Sequence, residues 1–197
     1  MPRTKQRTPE LRDRLLTVAL ATLTAEGAAG FTTRRVAQRA RTSTPAVYEL
    51  FGDRAGLVRE MFFEGFRQLG THLGGWPESG EPRRDLIGMI HGMRAFALAN
   101  PALWELMFTR PFADFDPGPD DVAAGGATRE LIVGRVRRCV DAGVIAGDAT
   151  DVAHVILALA QGLALQETGG WLGNSQASAD RRWDLAIEAM LAGLAPA

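Results

Sequence analysis

The sequence lacks much of what several classes of protein require. Its 197 residues include a single cysteine, Cys139, which excludes an intramolecular disulfide framework and a metal site built from cysteines alone. No run of about eighteen or more apolar residues occurs, and the charged N-terminus is unlike a secretory signal, so we expect a cytoplasmic protein without a membrane partner. Alternating strand patterns are also missing. These absences predict an all-α chain, and nothing in the sequence calls for a cofactor.

Catalytic motifs are absent as well. The three histidines, His72, His91 and His154, lie far apart, and no zinc-peptidase, nucleophile-elbow, phosphate-loop or dinucleotide-binding pattern occurs. An acid–base pair of His91 with Asp85 or Glu105 has no specific spacing to support it. The sequence therefore predicts a non-enzymatic protein with no catalytic residues and no metal ligands.

Charge is distributed unevenly along the chain. Residues 1–60 carry eleven basic against six acidic residues, a balance of +5, and residues 61–197 carry eleven against seventeen, a balance of −6. The two balances add up to the net charge of −1. A basic head on an acidic body is typical of a DNA-binding domain joined to a domain with another task. A chance fluctuation of charge is the alternative.

Two helix starts lie about a dozen residues apart between Gly27 and Leu57, which fits two short helices joined by a tight turn. The hydroxyl of Thr32 can cap the first helix, and Ser43 can cap the second, with Pro45 in its first turn. Small or apolar residues can pack the two helices together: Val36, Ala37, Ala40, Val47 and Phe51. Such a pair is a helix-turn-helix, whose second helix is built to lie in a DNA major groove.

These residues resemble the N-terminal domain of the TetR family of ligand-responsive transcriptional regulators. The similarity covers the end of the first long helix at Gly27, the Thr32–Arg34 start, the segment 43–48, Phe51 and the basic residue Arg54. It implies a DNA-binding head at the N-terminus.

The chain departs from that family's pattern at three positions. Arg41 stands in the turn where members usually carry glycine, Thr42 replaces an aliphatic residue and Leu50 replaces a frequent histidine. An arginine in a turn built for glycine has to adopt a left-handed backbone, at a cost of about 1–2 kcal/mol. Either Arg41 takes that conformation or the turn differs from that of the family.

Helical periodicity continues through the rest of the sequence. The fifth predicted helix, roughly 83–99, is apolar nearly all round and so belongs inside a bundle. The seventh is expected from about residue 120, and the ninth from about residue 179. The predicted fold is all-α with nine helices, an order that matches the TetR architecture. A helix-turn-helix head is expected in residues 1–55, and a helical bundle for effector binding and dimerisation in residues 56–197.

The C-terminal part carries a looser resemblance. Residues 96–108 look like one subgroup of TetR-like C-terminal domains, in which residues 160–163 would correspond to a Trp-His-Gly element that this chain does not keep. The resemblance implies an effector pocket and a homodimer formed through the last two helices. Apolar stripes on those helices fit such a dimer, and they also fit the core of a monomer.

Candidate DNA contacts lie around the two short helices. Phosphate contacts are expected from Thr32, Thr33, Arg34, Tyr48 and Arg54. Base contacts are expected from Thr42, Thr44, Pro45, Ala46 and Glu49. A core position is the alternative for Tyr48, and a plain surface position for Glu49. Arg3, Lys5 and Arg7 either track an adjacent groove or form an unstructured basic tail.

An effector site is expected among methionine and aromatic residues, because ligand pockets are mostly apolar with a few polar groups. The candidates are Phe62, Phe66, Met89, His91, Met93, Trp104, Met107, Phe108 and Trp171. His91 supplies a polar contact, and the set favours an apolar or aromatic small molecule. Ordinary core packing is the alternative for the same cluster.

The sequence as a whole predicts a homodimeric transcriptional regulator that binds a palindromic operator in double-stranded DNA. The resemblance to the family implies a repressor, which a small molecule releases from that operator. A helical ligand-binding or interaction protein on the same fold that no longer binds DNA is the alternative. It stays open because the predicted recognition helix contains no lysine or arginine.

Overall fold

The computed structural model describes residues 9–109, 111–116, 118–119 and 125–196. Over these residues the chain has nine helices and no strand, which confirms the predicted fold class. The helices are α1 (Pro9–Gly30), α2 (Thr33–Arg39), α3 (Thr44–Phe51), α4 (Arg54–Gly74), α5 (Pro82–Ala99), α6 (Pro101–Thr109), α7 (Gly126–Asp141), α8 (Ala149–Thr168) and α9 (Gln176–Gly193). The expected basic arm with Arg3, Lys5 and Arg7 lies outside the described residues. So does segment 120–124, where the seventh helix was expected to begin.

Contacts divide the described residues into two compact units. The first unit contains the residues up to Phe66 together with those of 100–124, and the second contains 67–99 and those from Gly125 onwards. The chain of α4 begins in the first unit and ends in the second. The functional division expected between residues 55 and 56 stays a prediction.

In the first unit, α1 supports the short helices. Leu15, Ala19 and Leu23 recur at four-residue spacing on one face of α1, and all three are buried. α1 packs on α2 and on α6, and α2 packs on α3. Gly27 has a φ of 64° and kinks α1 at the point where the sequence predicted its end. The buried face of α1 therefore positions α2, and α2 in turn positions α3.

In the second unit, α5 is the central helix. It packs on α7 and α8, and α8 also packs on α7 and α9. Between Asp85 and Ala97 no residue of α5 is exposed, as expected for a helix that is apolar nearly all round. The fully buried large side chains of this unit include Leu86, Met89, Ile90, Met93 and Trp183.

A buried polar cluster joins three helices of the second unit. Arg94 of α5 donates to Glu167 of α8 from Nε at 2.8 Å and from Nη2 at 2.6 Å. Trp183 of α9 donates to the same carboxylate from Nε1 at 2.7 Å. Burial raises the pKa of the Glu167 carboxyl, but the hydrogen bonds from Arg94 and Trp183 outweigh it and hold that pKa below its usual value. The cluster thus favours a charged Glu167 at neutral pH.

A second buried carboxylate fixes the loop before α5. Asp85 accepts from the backbone N–H of Ser79 at 2.6 Å, from the Ser79 hydroxyl at 2.7 Å and from the N–H of Gly80 at 3.2 Å. These bonds, led by the one from the Ser79 backbone and helped by the charge of Arg135, hold the pKa of Asp85 below its usual value. Arg135 is itself buried and lies 2.9 Å from Glu78. The loop is therefore tied to α5 and α7 by charged hydrogen bonds.

Candidate nucleic-acid interface

Both short helices of the first unit begin at the residues that the sequence predicted as caps. Thr32 has extended backbone angles, and its hydroxyl accepts from the N–H of Arg35 at 3.3 Å. Ser43 is likewise extended and accepts from the N–H of Ala46 at 3.4 Å. Pro45 lies in the first turn of α3, where its missing N–H costs nothing. The predicted helix-turn-helix is therefore present.

The turn between α2 and α3 takes the first of the two forms that the sequence left open. Arg41 has a φ of 54° and is the only non-glycine residue with positive φ over the described ranges. The N–H of Arg41 donates to the carbonyl of Gln38 at 3.0 Å, and that of Thr42 to the carbonyl of Ala37 at 2.9 Å. These two bonds form a Schellman motif, whose left-handed position usually holds glycine. The backbone is thus that of a glycine turn, and it carries an arginine side chain.

A hydrogen bond between side chains joins the two helices. The Thr33 hydroxyl lies 3.2 Å from the Tyr48 hydroxyl. Tyr48 is 44 % exposed, so the core position that was its alternative does not apply. Its ring lies at the surface of α3, and the hydrogen bond of its hydroxyl group fixes the position of the ring.

The other predicted DNA contacts differ in their exposure. Thr32, Arg34, Pro45 and Glu49 are exposed, as is Tyr48. Half-buried positions are Thr42, Thr44 and Arg54. Thr33 and Ala46 are buried in this chain, which leaves their side chains the least accessible of the set. Direct contact of each residue with DNA stays a prediction.

Arg54 has a partner that the sequence did not suggest. At the start of α4 its guanidinium forms an ion pair with Asp114 and lies over the ring of Phe112, 4.7 Å from the ring centroid. Asp114 is 60 residues further along the chain, so no local pattern links the two. In this structure the positive charge of Arg54 is therefore partly neutralised by an acidic side chain.

Five of the effector candidates lie in the first unit, and the aromatic rings among them pack on one another. They are Phe62, Phe66, Trp104, Met107 and Phe108. The ring centroid of Phe66 lies 5.0 Å from that of Phe62 and 5.7 Å from that of Phe108, and Trp104 lies 4.5 Å from Phe108. Met107 occupies the space beside Gly65, where a Cβ would come within 2.7 Å of its sulfur. Close aromatic packing of this kind suits a core as well as a pocket wall.

The other four effector candidates lie in the second unit in unlike surroundings. Met89 and Met93 are fully buried on α5. His91 is half-buried, and its Nε2 lies 3.5 Å from Asp184 Oδ1. Trp171 is 82 % exposed in the loop before α9. Binding of a small molecule by any of the nine stays a prediction.

α8 and α9 leave apolar side chains at the surface of the second unit. Val155 and Leu165 of α8 and Leu185 of α9 are exposed, Leu185 to 69 %. By length and composition alone α8 is apolar enough to cross a membrane, as are many core helices of proteins that do not. Unlike a typical core helix, however, α8 has only 28 % of its most apolar stretch buried. At Gly162, between Val155 and Leu165, a Cβ would meet no atom within 4 Å. These side chains leave apolar surface on α8 and α9 available to a partner.

Two family models match the sequence. One, described as bacterial regulatory proteins of the tetR family, matches residues 15–61, which include α2, α3 and the turn between them. The other, described as a tetracyclin repressor-like C-terminal domain, matches residues 86–190, from α5 to α9. Both parts of the chain thus have relatives in regulators of one kind.

Individual relatives agree with this result. The HTH-type transcriptional regulator Rv1816 of Mycobacterium tuberculosis is 28 % identical over 131 residues, which are 62 % of this chain and 52 % of that protein. The chain therefore spans about half the length of the curated relatives it matches.

Solved structures resemble the chain over nearly its whole length. A Rhodococcus sp. RHA1 protein of unknown function is 30 % identical, with a TM-score of 0.81 over 98 % of this chain and 100 % of that one. A TetR variant from Acinetobacter baumannii AYE, solved in complex with minocycline, is 18 % identical, with a TM-score of 0.64 over 91 % and 93 % of the two chains. This second likeness is one of fold alone.

Proposed function

We propose that this chain, which belongs to the TetR family of bacterial transcriptional regulators, is a homodimeric repressor that a small molecule releases from its operator. Family membership makes the chain a non-enzymatic, DNA-binding regulator. The proposal adds the sign of regulation, the dimer, the operator and the effector. It also places the protein in the cytoplasm, where bacterial DNA lies.

The observation that carries the proposal is the exposed face of a capped recognition helix. Pro45, Tyr48 and Glu49 face solvent from α3, which Ser43 caps. Pro45 suits a thymine methyl group, and the carboxylate of Glu49 can accept from a cytosine amino group. Arg34, exposed on α2, supplies positive charge for a phosphate of the same site.

The proposed dimer forms through α8 and α9. Val155, Leu165 and Leu185 would become buried in it, which removes their apolar surface from water. A twofold dimer presents two copies of α3 to successive major grooves, about 34–36 Å apart or a multiple of that. The operator that matches such a dimer is palindromic.

The proposed effector is apolar or aromatic. The TetR variant of similar fold was solved with minocycline, which supports a small-molecule site in this fold. In this chain the candidate side chains are aromatic rings of the first unit, such as Trp104 and Phe108, and, separately, the adaptable methionines Met89 and Met93 of the second unit. The effector shifts the dimer toward a state whose two heads no longer match successive grooves. α4 is the proposed link, because it begins at Arg54 and carries Phe62 and Phe66 further along.

Binding to the intergenic DNA beside the chain's own gene tests the proposal. Purified protein is titrated onto that duplex at two salt concentrations, with excess unrelated duplex as competitor. We expect a competitor-resistant complex whose log affinity falls with log salt by about 0.9 for each phosphate contact. Small apolar and aromatic compounds are then screened for release of the complex.

Two results would contradict the proposal at different points. Failure to bind any duplex at low salt would contradict DNA binding by this chain and favour the ligand-binding alternative. A specific complex that no compound weakens would instead overturn the effector and leave the DNA-binding role in place.

A further inference from the structure

We infer that three arginines beside the α2–α3 turn form a binding site for a phosphate of the DNA backbone, outside the surface of α3 itself. The site, here called the arginine cleft, has a volume of about 400 Å³. It is lined by Arg14, Val18, Arg39, Ala40 and Arg41. The inference rests on the proposed function, because it extends the contact with DNA to a further element.

The charge of the cleft is positive and only partly compensated. No acidic residue lines it. Arg39 lies 3.3 Å from Glu26, but Glu26 also forms an ion pair with Arg35 and so serves two arginines. Over the residues that the structure describes, the side chains of Arg14 and Arg41 form no ion pair and no hydrogen bond. Like charges that share one cleft favour a bound anion.

Backbone strain at Arg41 points to a role for its side chain. The Schellman turn needs a left-handed residue there, and glycine would take that conformation without steric cost. An arginine at this position brings a cationic side chain at the expense of strain. Strained backbone conformations cluster at functional sites, which makes the arginine side chain, rather than the turn, the feature to explain.

Position along the chain favours a DNA phosphate as the anion. Arg41 is three residues before Thr44, the first residue of α3, so their Cα atoms lie within about 11 Å of each other. The major groove is about 12 Å wide and is bordered by phosphates on both sides. An arginine side chain at this distance from a helix in the groove reaches the bordering backbone.

Besides Arg34 on α2, the surroundings of α3 supply little positive charge for phosphates. α3 contains no lysine or arginine, and Arg54 at the start of α4 is engaged with Asp114. DNA affinity depends chiefly on cations that neutralise phosphates. The arginine cleft provides such cations directly beside the start of α3.

The variant Arg41→Gly separates this role from a structural one. It removes the charge and relieves the left-handed strain, so the melting temperature should stay the same or rise by about 2–4 °C. Affinity for the operator duplex should nevertheless fall about three- to tenfold, with a salt slope smaller by about 0.9 for each bound chain. Arg14→Gln, which removes a second cation of the cleft, should also lower the affinity for the operator duplex and reduce the salt slope.

Arg137→Ala is the matched control. Arg137 is exposed on α7 in the second unit, and its loss changes the net charge by the same amount. The inference is overturned if Arg41→Gly keeps the affinity and salt slope of the unmodified chain, or loses no more than the control. A loss of binding with a lowered melting temperature would indicate a structural role and also overturn it. Absence of a specific complex with the unmodified chain would overturn the proposed function and this inference together.

Discussion

Glu167 shows what a single residue contributes to this fold. Its carboxylate receives hydrogen bonds from Arg94 on α5 and Trp183 on α9, so one side chain of α8 connects three helices. Both partners of the ion pair are about 90 % buried, and Arg94 has Asp180 as a further acidic neighbour at 2.7 Å. Removing one member of a buried pair leaves the other charge poorly compensated. Glu167 is therefore the main partner that compensates the charge of Arg94 inside the unit.

Glu167→Gln should lower stability at pH 7 and make stability less sensitive to acid. The folded state holds the pKa of Glu167 below its ordinary value of 4.5. The charged carboxylate therefore contributes its full stabilisation of the fold when the pH is above 4.5. This contribution is lost as the pH falls through the lower, folded-state pKa. We expect a loss of about 2 kcal/mol at pH 7 and a smaller drop in melting temperature between pH 6 and pH 3. Circular dichroism melts over this pH series measure both effects.

Glu188→Gln is the control for this prediction. Glu188 pairs with Arg83 at the surface, where ion pairs contribute about 0–1 kcal/mol, so its replacement should change little. The pKa values of Asp85 and Asp180 are also held below their ordinary values, and both residues remain in both variants. Identical pH dependence of the unmodified chain and Glu167→Gln would contradict the account.

Local residues of the head could be predicted from the sequence, and remote pairs could not. Thr32 and Ser43 act on N–H groups three residues ahead, so the capping pattern is visible within one turn. Arg54 and Asp114 belong to segments far apart in the sequence, and only the fold brings them together. Helix propensities and local sequence patterns contain no information about such pairs.

At the scale of single helices, the start of α9 differs from the predicted one. The sequence predicted a start near residue 179, but α9 begins at Gln176. Ser175 accepts from the N–H of Ser178, and the Ser178 hydroxyl accepts from the N–H of Ser175, each at 3.3 Å. A capping box usually has Glu or Gln at this third position, so serine gave a weaker signal. The cap adds one turn to the helix.

Leu185→Glu should break the proposed dimer without unfolding the chain. Leu185 is exposed on α9, so a carboxylate there costs the monomer little, whereas burial in an apolar interface leaves that charge unpaired. A penalty of about 3 kcal/mol per interface would weaken dimerisation more than a hundredfold. Sedimentation of the variant at micromolar concentration should show monomer.

Leu98→Glu is the matched control for the dimer. Leu98 is also an exposed leucine of the second unit, but it lies on α5, which is not one of the two proposed interface helices. The variant should sediment like the unmodified chain. A Leu185→Glu protein that remains dimeric, or an unmodified chain that is monomeric, would contradict an interface through α8 and α9.

At the scale of the whole molecule, positive charge is concentrated in the N-terminal segment that contains the helix-turn-helix. The residues up to 60 carry a balance of +5 and contain the helix-turn-helix, whereas the remainder carries −6 and contains the buried polar clusters and the apolar face of α8 and α9. Positive charge near the recognition helix favours approach to DNA, and the acidic body disfavours non-specific contact with it. The fold class and the helix order followed from periodicity, while the pairing of helices required the structure.

Selection from random duplexes measures whether the protein recognises a twofold DNA sequence. Purified protein is incubated with a random-sequence pool at moderate salt, and bound duplexes are recovered, amplified and sequenced over several rounds. We expect enrichment of an inverted repeat whose half-site centres are separated by about 10–10.5 base pairs or a multiple of that. Recovery of no sequence above the starting pool would contradict sequence-specific binding by α3. Enrichment of a single, unsymmetrical site would contradict a twofold dimer as the DNA-binding form.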